Sequence, residues 1–183
     1  CKVFEEKKKE IYRTINTCSD GNVVRIDNFF RVGTKYYIAM PKICSVKMEV
    51  EDISDLPEHA KRRLCTIIAH SVAQLHKSKF VHADIKHANV LLTFSPQRLL
   101  TAKLIDFDAG FMEHDPPTHP EAIPGDQVYY APEVWLGIQG EEVQLTCKLD
   151  VFSMGVLFHE YFSGDRPEFD KGFECTGAAV AMG

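Results

Sequence analysis

The pattern of hydrophobic and polar residues divides the first part of the chain into a helix and a hairpin. Apolar residues recur at helical spacing over residues 3–17 and predict an amphipathic helix. Two β-like runs follow, at 23–32 and 35–40, and Gly33-Thr34 between them is the predicted hairpin turn. Pro41 ends the second run, because proline has no amide hydrogen for a strand ladder.

The remainder of the chain follows a mainly helical pattern with two short strands. Leu56-Pro57-Glu58 opens a long helix, since proline is favoured in a first helical turn. Residues 109–128 are rich in proline and are predicted to form a loop. The other predicted elements are a short helix with a loop at 44–56, the long helix up to Lys77, strands at 90–93 and 102–105, a short helix at 131–136 and an apolar helix from Asp150 to about Phe162.

A group of polar residues, 82–89, lies between two apolar runs and is here called the polar loop. Apolar flanks on both sides suggest that a core holds this loop at both ends. The loop carries Asp84, Lys86 and Asn89 at short offsets. A carboxylate, an ammonium and an amide on one fixed loop can converge on a phosphate group and a metal ion. An ordinary polar turn is the alternative interpretation of these residues.

Composition narrows the possible functions. The 183 residues are 45% hydrophobic, which is enough for one good core or two small ones. A formal net charge of −5 argues against a nucleic-acid binder that uses a basic face. The six cysteines form no C-x-x-C pair, and no apolar stretch is long enough to span a bilayer. We therefore expect reduced thiols, no membrane segment and a cytoplasmic location.

Four motifs follow one another along the chain. They are His82-Ala83-Asp84-Ile85-Lys86-His87-Ala88-Asn89, Asp106-Phe107-Asp108, Ala131-Pro132-Glu133 and Asp150-Val151-Phe152-Ser153-Met154-Gly155. Together they resemble the catalytic domain of eukaryotic-type, Ser/Thr-like protein kinases. The resemblance implies an α+β fold with a partial β N-lobe over residues 1–43 and a mainly helical C-lobe over 44–183, truncated before its last helices.

The resemblance also implies a reaction and its main residues. It implies transfer of the γ-phosphoryl group of MgATP to a Ser or Thr hydroxyl of a protein substrate. Asp84 would accept the hydroxyl proton, and Lys86 would contact the γ-phosphate, which favours a Ser/Thr over a Tyr kinase. Asn89 and Asp106 would hold Mg²⁺.

By the same resemblance, four further residues belong to the nucleotide site. Glu10 resembles the helix glutamate that pairs with a strand lysine. Met40 stands at the gatekeeper position, and Lys42 lies in the predicted hinge, whose backbone would bind adenine. Leu91 would lie under the adenine ring.

Three residues depart from the family pattern. Ala83 replaces an arginine that receives an activation-loop phosphate, which argues against that mode of control. Asp108 replaces a glycine and restricts the backbone, so we expect altered loop dynamics with the metal carboxylate intact. Asp126 replaces a threonine that faces the catalytic residues. A carboxylate there would raise the pKa of Asp84 by like-charge repulsion unless Lys86 bridges the two.

The glycine-rich loop and strand lysine of the family do not occur in this sequence. We therefore expect a fragment that by itself binds ATP poorly and transfers phosphate negligibly. Two alternatives remain open. One is a pseudokinase that acts as a binding or scaffold module. The other is a small-molecule phosphotransferase of the aminoglycoside or choline type, which should lack the motifs at 131–133 and 150–155.

Overall fold

In the part of the chain that it describes, the computed structural model shows helices packed with three small antiparallel sheets, and its architecture is α+β, as predicted. The residues described are 2–18, 21–119, 123, 125–170 and 172–183, with side chains from Phe4 onward. Part of the predicted loop at 109–128 therefore lies outside the described residues.

The elements are given in chain order. The helices are α1 (Lys2–Cys18), α2 (Val50–Ser54), α3 (Glu58–Lys77), α4 (Pro132–Ile138), α5 (Lys148–Ser163) and α6 (Thr176–Met182). The strands are β1 (Asn28–Val32), β2 (Lys35–Ala39), β3 (Phe80–Val81), β4 (Val90–Phe94), β5 (Leu100–Leu104) and β6 (Phe111–Met112). They pair as β1 with β2, β3 with β6 and β4 with β5.

The long periodic segments agree with the sequence predictions, and some of the short elements were missed. Helices α1, α3 and α5 and the hairpin around Gly33-Thr34 lie within a few residues of their predicted positions. Residues 23–26 do not form a strand, and Val23 makes only an isolated bridge to Leu104. The β3–β6 pair and α6 had no sequence prediction. The strands β3 and β6 have two residues each, which is too short to show a period.

The main core joins α1, α3 and α5 to the β4–β5 hairpin. Helix α3 buries Leu64, Ile68, Val72 and Leu75, which recur three or four positions apart and form one apolar stripe. Helix α5 is apolar on most sides and is buried accordingly. One cluster of buried residues draws on both sides of position 43, so the division into lobes at that position stays a prediction.

This core places two loops side by side. Strand β3 leads into the polar loop, which ends in a 3₁₀ turn at His87–Asn89 before β4. Strand β5 leads into residues 106–110, here called the acidic loop. The Ile105 amide donates to the Asn89 carbonyl oxygen at 3.0 Å, which joins the two loops where they leave the hairpin. Within the described ranges, no helix combines the length and apolar character needed to cross a membrane.

Candidate active site

A buried carboxylate from α5 holds the start of the polar loop. Asp150 is fully buried, and its oxygens accept hydrogen bonds from the backbone amides of His82 at 2.9 Å and Ala83 at 2.8 Å. The ring of His76 donates to the same carboxylate at 2.8 Å. Because a charged acceptor strengthens such bonds, they fix the loop backbone, including Ala83 with its positive φ of 63°.

His82 is a structural link between the two loops. Its ring is fully buried and packs edge-on against Phe107, with 5.2 Å between ring centroids. Burial lowers the pKa of His82, although the Asp150 charge opposes the shift. The neutral ring then donates from Nε2 to the Ile105 carbonyl oxygen at 3.1 Å and accepts from the Asp84 amide at Nδ1, at 3.3 Å. This hydrogen-bond network assigns the tautomer.

The structure brings Asp84, Lys86 and Asn89 into direct contact. The Asn89 side-chain nitrogen donates to Asp84 Oδ2 at 2.7 Å and to its backbone carbonyl at 2.8 Å. Lys86 Nζ lies 2.9 Å from the same Oδ2. These contacts leave Asp84 Oδ1 available to accept a proton, in a side chain that is 11% exposed.

Asp106 presents an oxygen ligand beside this group. It follows Ile105, the residue hydrogen-bonded to Asn89, and its side chain is exposed at a backbone φ of 62°. The Asn89 amide uses its nitrogen for Asp84, which leaves its carbonyl oxygen for a cation. A carboxylate and an amide oxygen are hard ligands, so this donor set fits Mg²⁺.

Aromatic packing fixes the middle of the acidic loop. Phe107 is buried, and its ring lies edge-on to Phe80 with centroids 6.1 Å apart. Gly110 lies directly on the Phe80 ring, and a Cβ at that position would overlap ring atoms. The Asp-Phe-Asp sequence therefore holds its phenylalanine inward and its carboxylates outward.

Helix α1 contacts the acidic loop through Lys8 and Tyr12. Lys8 Nζ donates to the Asp108 carbonyl oxygen at 3.0 Å, and the Tyr12 hydroxyl donates to the Asp108 carboxylate at 3.3 Å. Burial lowers the pKa of Lys8 against the opposing charges of Asp108 and Asp106, and burial together with Asp108 raises the pKa of Tyr12. Glu10, the predicted partner of a strand lysine, lies exposed on another side of α1.

The other predicted nucleotide contacts are exposed or half-buried. Met40 directly follows β2 and is 45% exposed, Lys42 is exposed, and Leu91 is half-buried on β4. The Val46 amide donates to the Leu92 carbonyl oxygen at 2.7 Å, so the segment after Lys42 runs beside the strand that carries Leu91.

Asp126 has a local role that was not predicted. Its Oδ1 accepts from the Val128 amide at 3.1 Å and caps the 3₁₀ turn Gln127–Tyr129. The Asp84 carboxylate has Lys86 as its charged partner. The sequence predicted repulsion between Asp84 and Asp126 unless Lys86 bridged the two carboxylates. In the structure Lys86 forms an ion pair with Asp84, and Asp126 accepts a hydrogen bond from a backbone amide.

Sequence reasoning also missed Lys8, Tyr12 and His76. Lys8 and Tyr12 are four positions apart and share one face of α1, which was a detectable signal. His76 had no signal, because its partner Asp150 is 74 positions away.

Three comparisons place the chain among known proteins. The family model described as "Protein kinase domain" matches residues 2–176. The chain is 30% identical to a probable serine/threonine-protein kinase of Dictyostelium discoideum, over 88% of this chain and 10% of that protein. It is 28% identical to MAP kinase-interacting serine/threonine-protein kinase 2 of Xenopus laevis, over 80% of this chain and 33% of that protein. The chain thus spans a third or less of these relatives.

A solved kinase structure has a similar fold. The kinase PK-1 of the Cydia pomonella granulovirus matches with a TM-score of 0.69 at 18% sequence identity. The match covers 89% of this chain and 58% of the viral one. At this identity the likeness concerns the fold alone.

Proposed function

The chain belongs to the protein kinase family, and on this premise we propose that the whole protein transfers the γ-phosphoryl group of MgATP to a Ser or Thr hydroxyl of a protein substrate. The observation that carries the proposal is the contact of Asp84 with Lys86 and Asn89 on a loop held by Asp150. Phosphoryl transfer depends mainly on positioning and charge neutralisation, and this group supplies both.

Each residue of the group has a proposed task. Asp84 orients the acceptor hydroxyl and takes its proton through Oδ1. Lys86 neutralises negative charge on the transferred group, and its ion pair with Asp84 keeps the ammonium next to the base. Asn89 and Asp106 hold Mg²⁺, which supplies charge neutralisation at the nucleotide phosphates. Met40, Lys42 and Leu91 belong to the proposed adenine site.

Separate observations support the proposed Ser/Thr specificity and the proposed protein substrate. The relatives reported above carry serine/threonine-protein kinase names, and Lys86 stands two residues after the proposed base. The family match over most of the chain favours a protein substrate over the small-molecule phosphotransferase. Free thiols at the described cysteines are compatible with the cytoplasmic location that we propose.

A pseudokinase is the second candidate, and the departures Ala83, Asp108 and Asp126 favour it. Against it, Asp108 and Asp126 each have local partners that leave the Asp84 group intact. The test is incorporation of radiolabelled phosphate by the whole protein with MgATP and a mixture of basic and acidic protein substrates. We expect Asp84→Asn to reduce incorporation at least about a hundredfold, the scale of a lost general base.

Asp55→Asn is the matched control, since Asp55 is exposed between α2 and α3. It should retain wild-type incorporation. Equal incorporation by wild type and Asp84→Asn, or none by either, would contradict the proposed reaction and favour a binding module. Phosphoamino-acid analysis of the product tests Ser/Thr against Tyr separately.

A further inference from the structure

We propose that Lys8 and Tyr12 of α1 are positioning residues that hold the acidic loop ready for Mg²⁺ by binding Asp108. This inference rests on the proposed kinase function, because it assigns Asp106 as a metal ligand. The contact set consisting of Lys8, Tyr12 and Asp108 is called the α1 clasp below.

The clasp reaches the metal ligand through the backbone. Lys8 Nζ donates to the Asp108 carbonyl oxygen at 3.0 Å, and the Asp108 amide donates to Asp106 Oδ1 at 3.3 Å. One residue therefore accepts from α1 on one side and donates to the proposed ligand on the other. A shift of α1 moves the carbonyl of Asp108 and, with it, the amide that orients the Asp106 carboxylate.

Tyr12 fixes the side chain of the same residue. Its hydroxyl donates to Asp108 Oδ1 at 3.3 Å, and its ring is buried in the core. A glycine at position 108 would keep the backbone contacts but would have no carboxylate for Tyr12. Asp108 thus gives the acidic loop a second attachment to α1, where glycine would add only backbone freedom.

Charge favours the same arrangement. Lys8 is a half-buried cation that faces Asp106 and Asp108, which are the carboxylates of the acidic loop. It reduces the mutual repulsion of two acidic side chains before a metal ion enters. Lys7 adds an ion pair to Asp115 at 2.5 Å, but both side chains are about half exposed, and such pairs contribute little.

The test compares Lys8→Met and Tyr12→Phe in the whole protein. Arg13→Met is the matched control, because Arg13 is an exposed cation on the same helix. Hydrogen–deuterium exchange of the peptide spanning 104–112 is measured without nucleotide. Loss of one such hydrogen bond should speed exchange about two- to tenfold in each clasp variant, and Arg13→Met should leave it unchanged. Lys8→Arg keeps a donor and should restore slow exchange.

The second readout is the Mg²⁺ concentration that gives half-maximal phosphate transfer. It should rise about two- to tenfold in Tyr12→Phe, which leaves the charge of the site unchanged, while turnover at saturating Mg²⁺ stays within about twofold of wild type. Unchanged exchange in both variants, or an equal change in Arg13→Met, would overturn the clasp. Reduced turnover with an unchanged Mg²⁺ requirement would also overturn it.

The two proposals fail in different ways. If the wild-type protein transfers no phosphate, the proposed function is lost, and the exchange measurement still decides whether α1 holds the acidic loop. If transfer occurs and the substitutions of Lys8 and Tyr12 leave hydrogen–deuterium exchange unchanged, only the proposed α1 clasp is contradicted.

Discussion

The polar loop and the acidic loop carry adjacent parts of one candidate site, but they are held in different ways. The polar loop is bound by Asp150, which is fully buried in α5 and accepts from consecutive backbone amides. The acidic loop exposes Asp106 and Asp108 and reaches α1 through Lys8 and Tyr12. Burial strengthens the first attachment, and solvent weakens the second.

This difference suggests a division of roles. The proposed base and phosphate-binding lysine keep their geometry whenever the core is intact. The proposed metal carboxylate depends in addition on where α1 lies. A movement of α1 could therefore change Mg²⁺ binding without disturbing Asp84. The predictions below act on the two attachments and on the residues between them.

The largest effect is expected from Asp150→Asn, which removes the charged acceptor under the polar loop. The amide group offers one acceptor oxygen, and its NH₂ faces backbone donors, so buried N–H groups lose their partner. The free energy of unfolding should fall by about 3 kcal/mol or more. Chemical denaturation checks this, with exposed Asp165→Asn as a near-neutral control. A loss below about 1 kcal/mol would show that the two attachments are alike.

An intermediate loss of stability is expected from Gly110→Ala, which disturbs the packing of Phe80 against Phe107 of the acidic loop. The new methyl group overlaps the fully buried Phe80 ring, against which Phe107 packs. Overpacking of this kind costs about 1–3 kcal/mol of unfolding free energy. Gly155→Ala in α5 is the control, because no atom lies within 4 Å of its added Cβ. Equal stability of the two variants in thermal unfolding would contradict this account of Phe80.

The smallest effect is a pH dependence of the free energy of unfolding that arises from the burial of His82. Burial lowers the pKa of His82 in the folded protein, so below about pH 6.5 the unfolded chain binds a proton that the folded ring does not. Stability is therefore complete above that pH and falls as the pH drops toward the lowered pKa. The slope due to this group is at most about 1.4 kcal/mol per pH unit.

His82→Gln should reduce that slope by one proton's contribution. Urea unfolding at a series of pH values between about 5 and 8 measures it. Exposed His59→Gln is the control and should leave the slope unchanged. If both variants keep the wild-type slope, the buried neutral ring is not its source.

The sequence was sufficient to predict the features that depend on local patterns. The stripe on α3 and the hairpin turn at Gly33-Thr34 are set by neighbouring residues, and their positions were predicted. The α+β class and the kinase family also followed from motifs, and the family is confirmed. The contact of Asp84 with Lys86 and Asn89 was predictable because all three lie on one short loop.

Features that depend on distant residues were not predictable in this way. The period of α1 indicates which residues share a face, but it does not indicate that the face with Lys8 and Tyr12 meets a loop about a hundred positions later. Glu10 was chosen from its place in the chain and lies exposed. Likewise, Asp126 was expected to raise the pKa of Asp84 unless Lys86 bridged the two, whereas its carboxylate accepts a hydrogen bond from the amide of Val128.

The attachment of the polar loop to Asp150 has a consequence for the order of folding. The hydrogen-bonded partners are 67 and 68 positions apart in the chain, so the loop gains this acceptor only after a long segment has closed. A chain emerging from the ribosome completes Asp84, Lys86 and Asn89 well before α5 is synthesised. Until α5 docks, the polar loop lacks this charged acceptor, so we expect the geometry of the loop to be fixed only after α5 has been synthesised.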